Sequence, residues 1–164
     1  MSMKNKKIAK APLAALILLI LSSIMAYAIA NLVELNTSNY LVADYLRVSG
    51  TTVYIGHNCT AVVADTSQER ADAIESGIEG VINERPNIYD TFTETLKSFN
   101  LTLDSVDIDR FDGKYYYSNL ILKSKDKVLK LDTRPSDAIA LAVRTNSTVY
   151  INKTMLQEIG KNVC

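Results

Sequence analysis

The 164-residue chain has one histidine, His57, and two cysteines, Cys59 and Cys164. No Cys/His cluster therefore has the spacing of a zinc site. There is no internal repeat and no low-complexity tract, and the length allows one domain plus an appendage. The chain also has no basic surplus where a nucleic-acid-binding surface would need one. All 18 acidic residues lie after residue 30, whereas Lys4, Lys6, Lys7 and Lys10 lie before it. The formal charge of zero thus conceals 14 basic against 18 acidic residues after residue 30, a net −4. Phosphate neutralisation supplies most of the affinity for duplex nucleic acid, and a domain that binds it normally carries a basic stripe. The charge count excludes such a global footprint but leaves room for a small cleft with local basic groups.

What the first thirty residues do have is hydrophobicity. The four lysines precede an apolar or small run from Leu13 to Ala30, relieved only by Ser22, Ser23 and Tyr27. At about 1.5 Å per residue such a run just spans a bilayer core. The lysines orient its start toward the cytoplasm and the rest of the chain outside. Residues 1–30 therefore read as a transmembrane anchor or a signal peptide. The length of the run favours the anchor. Ala26-Tyr27-Ala28 and Ala28-Ile29-Ala30 fit the small-x-small cleavage rule of the signal peptide. A pilin-like assembly helix is a third reading. Residues 31–39 form a polar connector, and residues 40–164 the domain.

Two further features suit a location outside the cell. Asn36, Asn58, Asn100, Asn146 and Asn152 each begin an Asn-x-Ser/Thr sequon, where composition alone predicts about two. They are candidate glycosylation sites on exposed loops, and sequons on an exported chain fit an archaeal cell surface. An oxidising compartment also permits a Cys59–Cys164 bridge, with an intermolecular bridge through Cys164 as the alternative.

Hydrophobic periodicity gives an α+β domain: a mixed β-sheet with three to four helices, preceded by the N-terminal hydrophobic helix. Tyr40 to Arg47 and Thr51 to Ile55 alternate around Ser49-Gly50 as a hairpin, and Cys59 to Ala64 is a third strand. A helix with Thr66 or Ser67 as N-cap runs to about Glu79 and stops at Gly80. Ile88, Phe92, Leu96 and Phe99 recur at helical spacing after Pro86. Leu103 to Phe111 and Lys114 to Lys123 flank an Asp112-Gly113 turn, and Val128 to Asp132 is a further strand. After the next helix come a strand from Thr148 to Ile151 and a last helical turn, Lys153 to Ile159.

The most specific stretch is Leu131-Asp132-Thr133-Arg134-Pro135-Ser136-Asp137-Ala138-Ile139-Ala140-Leu141-Ala142-Val143-Arg144-Thr145. Pro135 suits a first helical turn because it fixes φ and lacks an N–H. Asp137 complements the exposed N–H groups of that turn. The small residues that follow let another element pack close, and Asn146 is a plausible stop. Arg134, a forked cation beside two carboxylates and a helix N-terminus, either locks the turn or binds an anion.

This stretch resembles the signature of the bifunctional nuclease domain family. The resemblance extends over roughly residues 60–160. It takes in Ala73-Ile74 through Ile78-Glu79-Gly80, Arg85-Pro86 followed by Asp90, the Val106–Gly113 strand and turn, and Thr148 to Gly160. Where family members commonly carry Thr-His before the aspartate of the second helix, this chain has Ile88 and Tyr89.

The resemblance implies hydrolysis of phosphodiester bonds in DNA and RNA; the residues themselves make Asp132, Arg134 and Asp137 the catalytic candidates, and single-stranded DNA or RNA the expected partner. Hard oxygen ligands for Mg²⁺ or Mn²⁺ would come from Asp132, Asp137 and Asp90, with Asp112 and Glu79 as further carboxylates. Arg134 would clamp phosphate bidentately. The alternative is a noncatalytic cell-surface or assembly module that keeps the fold. Exposed strand edges make a homo-oligomer an expectation of either reading.

Overall fold

The computed structural model describes residues 15–25, 37–82 and 84–164, which divide into two units, one before and one after residue 36. In the first, residues 15–25 form a helix, α1. Its two hydroxyls are satisfied internally, Ser22 donating to the Leu19 carbonyl and Ser23 to that of Ile20, so polar side chains sit in an apolar helix without orphaned groups. Eleven residues rise about 16 Å, short of a bilayer core. Among the described residues no helix is long and apolar enough to cross a membrane. Residues 1–14 and 26–36 of the expected leader and connector, Asn36 among them, lie outside the described residues.

The second unit is α+β and contains two sheets rather than the single one expected. A short 3₁₀ turn (Thr37–Asn39) leads into nine strands: β1 (Tyr40–Val42), β2 (Tyr45–Ser49), β3 (Thr52–His57), β4 (Thr60–Asp65), β5 (Thr102–Phe111), β6 (Tyr116–Lys123), β7 (Val128–Thr133), β8 (Thr148–Asn152) and β9 (Lys161–Asn162). The helices are α2 (Gln68–Glu79), α3 (Ile88–Ser98), α4 (Pro135–Thr145) and α5 (Lys153–Ile159). One sheet has the order β1-β8-β5-β6-β7 and is mixed, because β5 and β8 run parallel. The other, β2-β3-β4-β9, is antiparallel throughout.

The predicted strand Tyr40 to Arg47 is in fact two, one for each sheet. The break is held by polar contacts invisible to hydrophobic alternation. His57 Nδ1 bonds to the Val42 carbonyl at 2.8 Å and lies 3.2 Å from Asp44, which also accepts the Asn58 N–H at 2.7 Å. Ala43 N–H donates to the Val149 carbonyl. His57 is thus a loop clamp. At the other end of the chain, β9 pairs with β4, Val163 N–H donates to the Cys59 carbonyl, and Cys59 is bonded to Cys164 with their Cα atoms 5.2 Å apart. Closing a loop of 105 residues stabilises the domain by about 4–5 kcal/mol on a chain-entropy view.

Both sheets and all four helices of this unit contribute to one core. Val53, Ile55 and Val62 meet Ile74, Leu96, Val106, Ile108, Leu120, Ile139 and Ile151. Strand alternation directs Val106, Ile108, Leu120 and Leu122 toward it and sends Ser105, Asp107, Ile121 and Lys130 to the opposite face of the larger sheet. Asp107 is 2% exposed there, and its Oδ2, like Ser105 Oγ, has no hydrogen-bond partner among the described residues.

Burial pushes the Asp107 carboxyl above its ordinary value against the pull of Lys130, and Asp109 pushes it the same way. A carboxyl raised in the folded state binds protons more tightly there than when unfolded. Its ionisation therefore subtracts stability as pH rises from the unfolded value near 4 through the folded one. Asp107→Asn is expected to raise neutral-pH stability by about 1 kcal/mol, with the gain vanishing below about pH 4. Paired thermal melts at the two pH values check this.

Candidate functional site at the start of α4

β7 ends with Asp132 and Thr133, and Arg134 follows as the N-cap of α4 with extended backbone, φ −72° and ψ 140°. Its side chain does not cap the helix. Arg134 Nε donates instead to Asp137 Oδ2 at 2.7 Å. The other oxygen, Oδ1, accepts the Tyr89 hydroxyl at 2.6 Å and lies 3.6 Å from Arg70 Nε. One carboxylate thus gathers residues from α2, α3 and the α4 start. Burial and the bond to Asp137 push the Tyr89 hydroxyl up to about 12, so it remains a donor at neutral pH.

The arrangement leaves charge available. Arg134 is 65% exposed and uses only Nε on Asp137, so the two terminal nitrogens of its fork face outward beside the first turn of α4. The cleft, about 240 Å³, has Val53, Ile55, Ile108 and Ile139 among its lining, with Arg70, Lys114 and Arg134 as its cations and Tyr115 and Tyr116 beside them. Tyr116 stacks on Phe111 with ring centroids 4.4 Å apart. Tyr115 is 56% exposed and sits under the Lys114 ammonium at 4.8 Å. Tyr117 carries the Arg110 guanidinium over its ring and donates to Asp112. A shallower depression alongside is lined by Asp132, Arg134, Asp137 and the three tyrosines. Asp132 is exposed and has no ion-pair or hydrogen-bond partner among the described residues. Asp132, Arg134 and Asp137 therefore do come together.

Asp90 does not join them, and the expected metal set of Asp90, Asp132 and Asp137 fails on this point. Asp90 caps its own helix, accepting the Asn87 N–H, and is bonded to Arg144 Nε at 2.7 Å, both side chains being at most 10% exposed. Burial pushes the Asp90 carboxyl up, but the bonds from Arg144 and Asn87 outweigh it and hold it below its ordinary value. Asp137 has both oxygens taken by donors, two of them guanidinium groups. Asp112 accepts the Lys114 and Tyr115 N–H groups and the Tyr117 hydroxyl, as a turn residue does, and Glu79 is exposed at the end of α2. Among the described residues no three His, Cys, Asp or Glu side chains converge as a metal cage would require. The residues present do not fit a dedicated cation site.

Behind the cleft, Arg144 spends its fork on structure. Nη1 donates to the Ala73 and Ala140 carbonyls at 2.6 and 2.9 Å and Nη2 to Ser76 Oγ at 3.2 Å, while the guanidinium lies 5.5 Å from the centre of the Tyr89 ring. It joins α4 to α2 and α3. Gly77 makes the approach possible: a Cβ there would lie 2.4 Å from Val143 Cγ2 and 2.6 Å from Arg144 Nη1.

The sequon asparagines also have local work. Asn58, Asn100 and Asn146 adopt φ of 52°, 53° and 53°, the left-handed region that asparagine enters more easily than other side chains. Asn152 caps α5 by accepting the Met155 N–H. Turn and cap geometry thus selects for asparagine at all four described sequon positions.

Residues 61–163 match the bifunctional nuclease domain. The chain belongs to the bifunctional nuclease domain family. Two uncharacterized proteins of Mycobacterium tuberculosis, from strains CDC 1551 / Oshkosh and ATCC 25618 / H37Rv, are each 29% identical to it over 93 residues. The shared stretch is 57% of this chain and 55% of each relative, so the chain spans about half the length of the curated relatives it matches. Within the matched region, Tyr89 is the residue of α3 that hydrogen-bonds to Asp137.

Sequence reasoning missed Arg70, Lys114 and the structural part of Arg144. Arg70 and Lys114 carried no local signal. Arg144 did: it is the one long charged side chain late in a helix of small apolar residues, and its i+7 spacing from Asp137 puts both on one helix face. Arg144→Ala strands a buried carboxylate and is expected to destabilise the domain by about 3–5 kcal/mol at pH 7. In the wild type the depressed Asp90 contributes stability above about pH 4 that is lost as pH falls. The deficit of the variant should therefore shrink in strong acid, as urea unfolding at pH 7 and at about pH 2.5 would measure.

Proposed function

We propose that the domain is a nuclease-like phosphodiesterase acting on single-stranded DNA or RNA at the α4 cleft. Family membership supports the class. The observation that carries the site is the free fork of Arg134 at a helix N-terminus, flanked by Arg70 and Lys114. A backbone phosphate would take the two outward nitrogens of Arg134 bidentately, with the α4 dipole adding to the attraction. Exposed Tyr115 offers a stacking face for an unpaired base. A single strand suits the cleft better than a duplex because the cations are local while the domain as a whole is acidic.

In the proposed reaction Asp132 takes a proton from water. The water oxygen bonds to phosphorus as a P–O ester bond breaks, and the leaving oxygen takes a proton from solvent. Asp137 holds Arg134 and Arg70 in position, and Arg134 stabilises charge on the phosphoryl oxygens. No step is assigned to a divalent cation, and Mg²⁺ and Mn²⁺ enter as conditions of the assay. The apolar leader supports a location outside the cell, held at the membrane by residues 1–30 or released from it.

A second reading rests on Asp137. Its oxygens are saturated by Arg134, Arg70 and Tyr89, which describes a self-contained structural lock equally well and favours a noncatalytic surface module. The assay separates the two. Full-length protein in detergent is expected to cleave single-stranded DNA or RNA, with metal present or absent. Arg134→Ala should lower kcat/KM roughly 10²–10³-fold, and Tyr115→Ala should weaken binding by about 1–3 kcal/mol. No cleavage under any condition leaves the noncatalytic module. Cleavage unaffected by Arg134→Ala and Asp132→Asn moves the chemistry elsewhere. The intact mass of the native protein reads leader retention and glycans directly.

A further inference from the structure

β7 ends the larger sheet, pairing only with β6 on one side. Its first five residues are all exposed, and they include Val128 at 44%, Leu129 at 51% and Leu131 at 36%. Leu129 and Leu131 oppose Leu122 and Leu120 on β6, so they continue the apolar face of the sheet past the layer of helices that covers it. Monomeric proteins usually blunt such an edge with a bulge, a proline, a short strand or charged side chains; β7 runs six residues without a bulge or proline, and its only charges are Lys130 and Asp132. The edge at the other end of the sheet, β1, is only three residues long.

The sequence of β7 is complementary to itself. In an antiparallel pair of two β7 strands with Leu131 on the twofold axis, Leu131 faces Leu131 and Leu129 faces Thr133. Lys130 then faces Asp132, and by symmetry the contact occurs twice. Opposite charges directly across an antiparallel pair stabilise it, whereas like charges oppose it. A twofold centred one residue earlier would set Lys130 against Lys130, and one residue later Asp132 against Asp132. Among registers centred within the strand, Leu131 alone joins the exposed leucines and pairs every charge.

We propose that two copies of this chain associate edge to edge through β7 in this register, making a continuous ten-stranded sheet. The same register brings Val128 of the second copy level with Arg134. The exposed β6–β7 hairpin of that copy, with Lys125 and Lys127, therefore lies beside the strand end that carries the cleft. Each copy lends cations to the site of the other, which offsets the acidity of the domain where an anion would bind. The pairing does not depend on whether the cleft is catalytic.

Both native cysteines are consumed in the Cys59–Cys164 bond, so one introduced thiol reports the interface. Residues directly opposite in an antiparallel pair have Cα atoms about 4.5–5.5 Å apart, within disulfide reach. The full-length Leu131→Cys protein, in detergent under mild oxidant, is expected to run as a covalent dimer on a non-reducing gel. Leu129→Cys should not, because its two copies would lie roughly 13 Å apart. Asp132→Lys or Lys130→Glu placed beside Leu131→Cys should reduce the crosslink at least several-fold, and the two charge changes together should restore it. A monomeric Leu131→Cys protein overturns the proposal. So does equal crosslinking through Leu129→Cys, or failure of the double charge exchange to restore the dimer.

Discussion

The cleft depends on a charge buried behind it. Arg144 reaches Asp90 on α3 and the Ala73 carbonyl and Ser76 hydroxyl on α2, while staying bonded within α4. A guanidinium with its donors shared among three helices tolerates little sliding, because any shift leaves a desolvated N–H or carboxylate without a partner. The small residues that make α4 look like an ordinary core helix, together with Gly77 on α2, let the helices come close enough for those bonds. That clamp sets the position of α3, and α3 carries Tyr89 to Asp137. The polarity of the interior is thus what aligns the exposed site.

At the cleft the same economy recurs with a different outcome. Asp137 is surrounded by donors, and its charge compensates Arg70 and Arg134 more than it waits for a cation. What stays unspent is the outer half of the Arg134 fork, Lys114 above Tyr115, and the carboxylate of Asp132. Among the described residues the unspent groups are thus two cations and one carboxylate rather than a cluster of carboxylates. Histidine at the Tyr89 position would bring titration near neutral pH to this contact, whereas a hydroxyl held up near 12 donates steadily across the physiological range.

The sequon asparagines illustrate how a pattern can carry two meanings. Asn58, Asn100 and Asn146 lie where the backbone turns left-handed, and Asn152 caps α5. A surplus of Asn-x-Ser/Thr arises when turns select asparagine and strands or helices rich in serine and threonine follow. Exposure and geometry permit glycans at the three turn positions, while the folding requirement by itself accounts for the residue type.

Much was legible in the sequence because it is local. Periodicity marks α2, α3 and β5 to β8 almost to their ends, since burying one face demands it. The Arg-Pro-Ser-Asp turn identifies the start of α4 and the family, since proline, first-turn charge and small residues act over a few positions. Other features are decided by contacts between residues far apart in the chain. The break at Ala43-Asp44 depends on His57, and the two-residue β9 on the partner strand β4. The division of labour among the carboxylates is also tertiary: Asp90 belongs to Arg144, Asp137 to Arg70, Arg134 and Tyr89, and Asp132 to none of them. By itself the sequence determined the α+β class, the family and the turn that carries Arg134. Only the tertiary structure decided which charges are spent on one another and which face outward, because pairing energies depend on distance and burial, and neither is encoded in neighbouring residues.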